Sequence, residues 1–549
     1  MDSDPSAYTF KRAFIQKVNR LKENRRDIRQ GRLRPQSETE ARALTAVTGT
    51  VRVPVLLGVY SNTGSAPIPA STLQKELFDG PWETGTMQDY YREVSYGNLT
   101  VDGTVYDWVT TSNTDEYYAG EVWGRDPRFS HVGEYITEIL ALNDSAIDFG
   151  QYDNDGPDGI ANSGDDDGYV DFIAIVHPET GAECHPTGLL NNVWSHRWRL
   201  AAWPEGEYAS DDPAAGGGVI RIDDYTIMPA LNCRGGMIEI GVFCHEFGHA
   251  FGLPDLYDRD FDEGSEQSFG IGYWGLMGYG GWNTPTRPAH MEAWSKAELG
   301  WLDPTVVTFD LFGWPIASST ASPTAFKLWA NGGPGPEYFL VEYRTATGFD
   351  RHLRGEGLLI WHVDESRANN NLEEHKLLDL ECWDQTGPDH TIDADQLDSR
   401  VSYGGVGDPY YSGRVFSPST NPSSVSYRGA ETGVEVAGLS MPGEDTMVAN
   451  LVVGDLPESS VDLQNAPNPF AENTRLLYTL PHSGQVNLTV YSVDGRRIRQ
   501  LADESQRPGL HSVSWDGRDD GGREVAAGAY ICKFTFGSVE QTRILVRVR

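Results

Sequence analysis

A short stretch of the chain holds two histidines, a glutamate and an aspartate at spacings that suit a catalytic metal. It reads His-Glu-Phe-Gly-His from His245 to His249, and Asp255 follows after Gly252. Histidines at positions i and i+4 share one face of a helix, where both imidazoles can bind one Zn²⁺. Glu246 lies beside that face, off the metal, and can serve as general base toward water. The pattern predicts a zinc-dependent hydrolase.

The third protein ligand must come from outside the helix. Gly252 and Pro254 form a helix-stop signal, because glycine tolerates the left-handed cap and proline cannot continue the helix. The chain can then turn back and bring Asp255 to the metal, which leaves a fourth position for water. Glu292 is an alternative third ligand, since the segment 290–298 looks helical and would give a His-His-Glu set. The sequence favours Asp255.

A glycine-rich loop downstream resembles the methionine-bearing loop that metzincin peptidases place beneath the metal. It runs from Trp274 to Gly280 and carries Met277. The glycine and Asp255 that follow the second histidine also match the metzincin layout, with aspartate in place of the usual third histidine. The resemblance implies that Tyr279 can donate a hydrogen bond to the oxyanion. A methionine that fills a core gap and a packed aromatic ring are the structural alternatives.

Length, charge and cysteine content bound the class of protein. The chain has 549 residues, a net charge of −37 and a pI near 4.6. This length predicts two or three domains, and the negative field argues against nucleic acid or an anionic membrane as partner. No apolar run reaches the ~18 residues of a transmembrane segment. The start, Met1–Pro5, lacks the features of a signal peptide, so the sequence alone predicts a soluble chain and does not establish export.

Five cysteines are too few for a disulfide framework. Cys184 and Cys233 lie in loop-like segments on either side of the run 194–198, so a bridge and two independent thiols both remain open. Cys244 precedes His245, but neighbouring helical residues point about 100° apart. We therefore expect its side chain in the core.

The first 46 residues differ in charge from the rest. Residues 1–34 hold ten Lys or Arg against four Asp or Glu, and apolar residues recur close to a helical spacing. This predicts a basic amphipathic helix, with a solvated arm as the simpler alternative. We hypothesise that residues 1–46 are a propeptide or latency segment docked on an acidic catalytic domain. The apolar positions are Phe10, Phe14, Val18, Leu21 and Ile28.

An acidic loop precedes a predicted buried strand. It holds two aspartate-rich runs, 153–159 and 165–171, in which glycines follow alternating carboxylates. Ca²⁺ takes about six to eight oxygen ligands, and such loops supply them. The spacing is not a full EF-hand, and a flexible solvated loop is the alternative. The candidate calcium ligands are Asp153, Asp155, Asp158, Asp165, Asp167 and Asp171.

Strand and helix patterns divide the remainder into modules. Residues 47–302 alternate between strands and helices and form the predicted catalytic domain, and 303–453 are β-rich and complete that module or pack on it. Residues 454–463 read as a linker, and 464–549 as an Ig-like β-sandwich of short alternating strands. The predicted strands are 51–60, 99–108, 171–177, 338–343, 357–363, 476–480, 486–493, 511–515 and 530–536, and the predicted helices 87–94 and 132–142.

With its zinc motif and loop, the chain resembles the immune inhibitor A family of secreted bacterial metallopeptidases. Further family-like segments extend the resemblance over residues 48–453. It implies an α+β, metzincin-like zinc peptidase acting on protein or peptide substrates. These segments are Asp89–Gly97, Tyr152–Gly156, Trp194–Trp198 and Gly357–Asp364.

The C-terminal motifs resemble the Ig-like domain of the flagellar hook-capping protein, a common tail on exported bacterial proteins. They are Asn465–Phe470, Tyr491–Arg496 and Trp515–Asp519. The resemblance implies a secreted or cell-surface location, with attachment or sorting through this domain. A non-catalytic, metal-stabilised cell-surface binding protein is the alternative function. Glu246 argues against it, because a structural metal site needs no base.

Overall fold

The computed structural model describes most of the chain, and the elements below belong to that part. Phe10 and the predicted linker residues 454–462 lie outside it. No helix in the described ranges is both long and apolar enough to cross a membrane. The described residues are 14–29, 32–33, 35, 46–156, 158–184, 188, 190–259, 268–329, 335–383, 397, 402–443, 445–453, 463–480, 484–506 and 509–548.

Strands outnumber helices along the described chain. The helices are α1 Phe14–Arg29, α2 Ala70–Gln74, α3 Met87–Val94, α4 Asp115–Ala119, α5 Val132–Asn143, α6 Ile240–Ala250, α7 Gly281–Asn283 and α8 Ala293–Glu298. The strands are β1 Gly49–Val59, β2 Leu99–Val105, β3 Val109–Thr110, β4 Ile173–Thr180, β5 His196–Arg199, β6 Tyr208–Pro213, β7 Val219–Ile222, β8 Asp224–Leu231, β9 Thr305–Val307, β10 Leu311–Ala317, β11 Phe326–Trp329, β12 Glu337–Arg344, β13 Gly357–Asp364, β14 Leu378–Leu380, β15 Glu435–Ala437, β16 Thr446–Val452, β17 Leu463–Ala466, β18 Thr474–Leu480, β19 Gly484–Ser492, β20 Arg497–Gln506, β21 Gly509–Trp515, β22 Gly528–Phe536 and β23 Val539–Arg547.

A six-stranded sheet forms the scaffold of the first half. Its order is β2-β1-β4-β8-β5, with β3 also paired to β1. Strands β2, β1, β4 and β8 run parallel, and β5 is antiparallel to β8. Alternate residues of β4 enter opposite cores: Ala174 and Val176 pack on the side of α6, and Ile173 and Ile175 on the side of α5. Both faces are covered, which explains the unbroken apolar runs of these strands.

The predicted elements of this half are confirmed, with small shifts at their ends. Helix α3 has the predicted bounds, because Thr86 and Asp89 form a capping box at its start. The strand predicted over 171–177 begins at Ile173 instead. Asp171 accepts a hydrogen bond from the backbone N–H of Asn154 at 3.4 Å, so this residue belongs to the acidic loop.

The β-rich region shares a core with the first half. This region contains a five-stranded sheet of order β14-β13-β12-β11-β9. Leu340 and Trp361 of this sheet pack in the same core as Met277. The other face of this sheet packs against the three-stranded sheet β10-β16-β15. His362 on β13 contacts the carboxylates of Glu337 and Glu381 at 3.0 Å each, as expected of a core histidine with partners.

The C-terminal residues form two facing sheets, β17-β18-β21 and β20-β19-β22-β23. Trp515 from one sheet and Phe534 from the other enter one buried cluster. Alternating apolar residues thus produce the predicted β-sandwich.

Helix α1 docks on the first half of the chain. Leu21 is buried in the main core, and Lys22 Nζ lies 2.7 Å from Glu298 Oε2. Arg20 Nη2 lies 3.0 Å from Asp155 Oδ2 in the acidic loop. The basic helix predicted from the sequence is confirmed, and it is docked rather than a solvated arm.

Candidate metal centre and active-site cleft

Helix α6 carries the two histidines and lies almost wholly inside the protein. Every residue from Ile240 to Gly248 is buried, and His249 is half-buried. From α3, Tyr91 Oη donates a hydrogen bond to the Cys244 carbonyl oxygen at 2.5 Å. The Cys244 side chain is buried in the core, as predicted. Packing from several elements therefore fixes the helix and the direction of its imidazoles.

The structure brings His245, His249 and Asp255 together. Asp255 Oδ1 lies 3.1 Å from His245 Nε2 and 3.2 Å from His249 Nε2. One potential ligand atom from each residue falls within 4.8 Å of the others. His245 and Asp255 are 1% and 6% exposed, so this cluster is screened from solvent.

The turn after α6 delivers Asp255. Gly252 has φ of +90°, which is the left-handed conformation that its position after the helix requires. The Leu253 N–H then donates to the Gly248 carbonyl at 3.1 Å, and the Leu256 N–H donates to the Met277 carbonyl at 2.9 Å. Two backbone bonds thus fix the segment on either side of the aspartate.

Backbone carbonyls set the protonation of both imidazoles. His245 Nδ1 lies 2.9 Å from the Leu276 oxygen, and His249 Nδ1 lies 2.8 Å from the Leu253 oxygen. A carbonyl can only accept, so each Nδ1 carries a proton and each neutral ring presents an Nε2 lone pair. Both Nε2 atoms face Asp255 Oδ1, so the three atoms are bridged either by protons on charged imidazoles or, when both rings are neutral, by a bound cation. The donor set fits Zn²⁺.

Arg259 holds the other oxygen of the aspartate, a contact that the sequence analysis missed. Arg259 Nη1 lies 2.9 Å from Asp255 Oδ2. Burial by itself would raise the pKa of Asp255, but His249, Arg259 and hydrogen bonds from both histidines hold it well below its usual value. Asp255 is therefore an anion whose Oδ1 is directed at the histidines.

Glu246 lies in the same cleft with one oxygen available. It is 4% exposed, and its Oε2 has no hydrogen-bond partner among the described residues. Burial raises the pKa of Glu246 to about 8, against the lowering effect of His245. This geometry suits a group that must accept a proton from an incoming molecule.

Glu292 is not a member of the cluster that the histidines form with Asp255, so the structure does not favour the alternative third ligand. Its Oε1 accepts a hydrogen bond from the Ser295 N–H at 2.9 Å and caps α8. The helix predicted from residue 290 therefore begins at Ala293, and its acidic residue serves as the N-cap.

The methionine loop lies directly against α6. Met277 is fully buried, and a Cβ added at Gly248 would lie 2.5 Å from Met277 Sδ. Tyr279 is half-buried on the cleft wall, with its ring centroid 4.9 Å from those of Tyr257 and Tyr403. Met277 therefore packs as a core methionine, and Tyr279 packs against other aromatic rings. The role of the Tyr279 hydroxyl stays a prediction.

An open cleft of about 860 Å³ surrounds these groups. Its wall is rich in aromatic side chains, as is common where extended ligands bind. Cys184 and Cys233 form a disulfide at one edge, so of the two alternatives that the sequence left open the bridge is the one present. The aromatic residues on the wall are Trp194, Trp198, Tyr257, Phe269, Tyr273, Tyr279, Trp282, Trp294 and Tyr403.

The acidic loop forms a cluster, but with other members than the sequence indicated. Asp153, Asp155 and Asp166 bring potential ligand atoms within 4.8 Å of one another. Asp153 is 1% exposed, and its Oδ1 has no hydrogen-bond partner in the described part of the chain. Burial, then Asp166, Asp167 and Asp155, raise the pKa of Asp153 to about 8. The sequence did not indicate Asp166, because the alternating spacing of aspartates in the run 165–171 favoured Asp165 and Asp167 instead.

The other four predicted calcium ligands lie outside the cluster. Asp165 Oδ2 accepts from the Asp158 N–H at 3.2 Å, and Asp158 Oδ1 accepts from the Ile160 N–H at 2.8 Å. Asp167 Oδ1 accepts from the Tyr169 N–H at 2.9 Å, and Asp171 is bonded to the loop backbone as described above. These carboxylates close backbone turns, which is the usual local use of aspartate.

Comparison with known families agrees with this geometry. Residues 75–305, which contain the three clustered residues and Glu246, match the family described as Immune inhibitor A peptidase M6, catalytic domain. Residues 75–305 are thus similar to the catalytic domain of that metallopeptidase family. Residues 471–536 match the FlgD Ig-like domain and lie within the C-terminal sandwich.

The chain is similar to two named relatives, one of which is called a metalloprotease. Over 254 residues, the chain is 32% identical to Immune inhibitor A of Bacillus thuringiensis subsp. alesti, a match that covers 43% of this chain and 35% of that protein. Over 225 residues, it is 30% identical to pre-pro-metalloprotease PrtV of Vibrio cholerae serotype O1, with 39% of this chain and 23% of that protein covered. The match thus spans about a third or less of each relative's length.

Among solved structures, FlgD from Xanthomonas campestris is similar at 24% identity. This match covers 14% of the chain and 58% of FlgD, with a TM-score of 0.12.

Proposed function

We propose that the chain is an exported zinc-dependent endopeptidase with a metzincin-like centre that hydrolyses peptide bonds in proteins. His245, His249 and Asp255 are the proposed zinc ligands. The observation that carries the proposal is the approach of two Nε2 lone pairs to one carboxylate oxygen beside an available Glu246. Bound zinc would lower the pKa of water and polarise the scissile carbonyl.

Glu246 is the proposed general base. Its unpartnered oxygen can take a proton from the attacking water and return it to the leaving amine. Both histidines keep their orientation throughout, because each Nδ1–H is bonded to a backbone carbonyl that cannot change its role.

Tyr279 is the proposed oxyanion donor. Contacts with Tyr257 and Tyr403 hold its ring on the cleft wall, so that little rotamer freedom is left to lose when substrate binds. Tyr279→Phe should lower kcat and leave zinc content unchanged. If kcat is unchanged, Tyr279 packs on the cleft wall but does not donate to the oxyanion.

We further propose a Ca²⁺ site at Asp153, Asp155 and Asp166. The buried, unpartnered Oδ1 of Asp153 supports it, because three carboxylates held this close repel one another unless a cation is bound. Arg20 supplies a positive charge to Asp155 at 3.0 Å. Docking of α1 and binding of calcium therefore compete for the same carboxylate.

We propose that residues 1–46 are a latency segment and that the mature enzyme is exported. Lys22 and Glu298, which form an ion pair, both line the cleft, so removal of α1 would open that edge. The name of the relative PrtV includes "pre-pro", which agrees with this proposal. The Cys184–Cys233 disulfide favours an oxidising compartment. The Ig-like domain is the proposed element for surface attachment or sorting.

A casein and peptide-library assay tests the proposed reaction. Cleavage should disappear with a chelator and return with zinc. Glu246→Gln should keep stoichiometric zinc and lose activity by roughly 10²- to 10⁴-fold, the range for removal of a general base. Casein hydrolysis that survives Glu246→Gln would contradict this mechanism, and zinc-bound wild type that never cleaves would favour a non-catalytic binding protein.

A further inference from the structure

Two arginines that line the cleft, Arg125 and Arg367, have no acidic partner among the described residues. Neither guanidinium has a hydrogen bond or ion pair to any residue of the described ranges. The chain as a whole has 80 acidic and 43 basic residues, so carboxylates are in excess. Arg128, only three residues from Arg125, pairs with Asp126 at 2.5 Å. An unpaired guanidinium in a partly buried cleft of so acidic a protein needs a reason.

Arg125 is held in place without being neutralised. Its guanidinium carbon lies 5.6 Å from the centroid of the Trp194 ring, a cation–π contact that orients the group. Burial lowers the pKa of Arg125, and the positive charge of Arg259 lowers it further. Asp255 and Glu246 act in the opposite direction, so Arg125 lies within electrostatic range of the proposed catalytic groups.

Three other carboxylates that line the cleft already have partners. Glu183 accepts hydrogen bonds from the N–H and the hydroxyl of Ser195, at 3.2 Å and 2.5 Å. Glu298 pairs with Lys22 at 2.7 Å, and Glu365 Oε1 accepts from the Tyr338 hydroxyl at 2.6 Å. None of these three groups is free to neutralise the two guanidiniums. The two guanidiniums are therefore available to a ligand that enters the cleft.

On the basis of the proposed peptidase activity, we propose that Arg125 and Arg367 are specificity-determining residues that bind a carboxylate of the substrate. A guanidinium can donate two parallel hydrogen bonds to one carboxylate, a geometry that a lysine cannot match. The cleft then prefers peptides with an acidic group near the scissile bond. That group is an Asp or Glu side chain or the C-terminal carboxylate, two sources with the same chemistry.

Matched peptides test this preference. Each pair differs only by Glu or Gln at one of the positions flanking the bond, and each is made with a free or an amidated C-terminus. Wild-type enzyme should favour Glu in kcat/KM by roughly 10- to 100-fold at one position, the range for charge-assisted hydrogen bonds. A preference for the free terminus instead would assign the site to the C-terminal carboxylate.

Arg125→Gln and Arg367→Gln should each bring this ratio toward one while the Gln peptide is still cleaved. Arg128→Gln is the matched control and should leave the ratio unchanged, because that side chain is exposed and paired outside the cleft. Equal cleavage of Glu and Gln peptides by wild type would overturn the inference and leave the peptidase proposal standing. So would a ratio that persists in both cleft variants. Absence of cleavage of every peptide by zinc-bound wild type would remove the peptidase proposal itself.

Discussion

The proposed third zinc ligand, Asp255, offers the sharpest quantitative test of the site. Asp255→Ala removes the one carboxylate oxygen that lies 3.1 Å and 3.2 Å from the two Nε2 atoms. Four-ligand zinc sites bind with about 10–16 kcal/mol, so one ligand contributes roughly 3–4 kcal/mol. At 1.4 kcal/mol for each tenfold, we expect zinc affinity to fall by about 100- to 1000-fold. Water can enter the space left by the side chain, which favours the lower end.

Competition with a chromophoric chelator at fixed pH measures this affinity. Glu292→Gln is the control, because Glu292 is buried but lies outside the cluster and caps α8 through Ser295. It should bind zinc as wild type does. If Asp255→Ala binds stoichiometric zinc with unchanged affinity, Asp255 is not a zinc ligand. If only Glu292→Gln loses zinc affinity, Glu292 is the third ligand instead.

Three further predictions concern charge and packing. Arg20→Gln should tighten Ca²⁺ binding by up to about fivefold, because Arg20 is 59% exposed and its ion pair with Asp155 contributes under about 1 kcal/mol. Calcium titration measures this affinity. An unchanged affinity would argue against competition between α1 docking and calcium binding. Gly241→Ala should lower the free energy of unfolding by about 1–3 kcal/mol in urea, because its Cβ would lie 2.1 Å from the backbone oxygen of Gly281. Gly64→Ala has open space and should change this free energy little. His362 has its pKa raised from 6.5 to about 9, because hydrogen bonds and charge from two glutamates outweigh burial. Its stabilisation, about 3 kcal/mol, is thus full below the unfolded pKa near 6.5 and is lost as pH rises through 9. The difference in stability between wild type and His362→Gln should shrink over that range, and a constant difference from pH 6 to 10 would contradict the assignment.

Local spacing was enough to predict the centre of the site. The i, i+4 histidines, the intervening glutamate and the Gly252 turn lie within a dozen residues, where helix geometry and backbone conformation decide the outcome. Asp255 follows from the same turn. Strands β4 and β13 were also recognisable, because burial on both faces leaves continuous apolar runs.

Contacts between distant segments were not predictable. Arg125 and the acidic-loop residue Asp166 owe their positions to how loops close, and alternation of aspartates does not say which side chains point inward. Glu292 shows the same limit, since an acidic residue before a helix is equally typical of a cap and of a ligand. The contact between Arg259 and Asp255 was also missed, because Arg259 belongs to no recognisable sequence motif.

The core that Leu340 and Trp361 share with Met277 sets the smallest unit that can fold around the metal site. The family match ends at residue 305, but strands β12 and β13 supply one wall behind the methionine loop. A protein cut at that boundary would expose this wall to water and lose support for the loop. The stretch matched by the family model is therefore shorter than the stretch that shares this core.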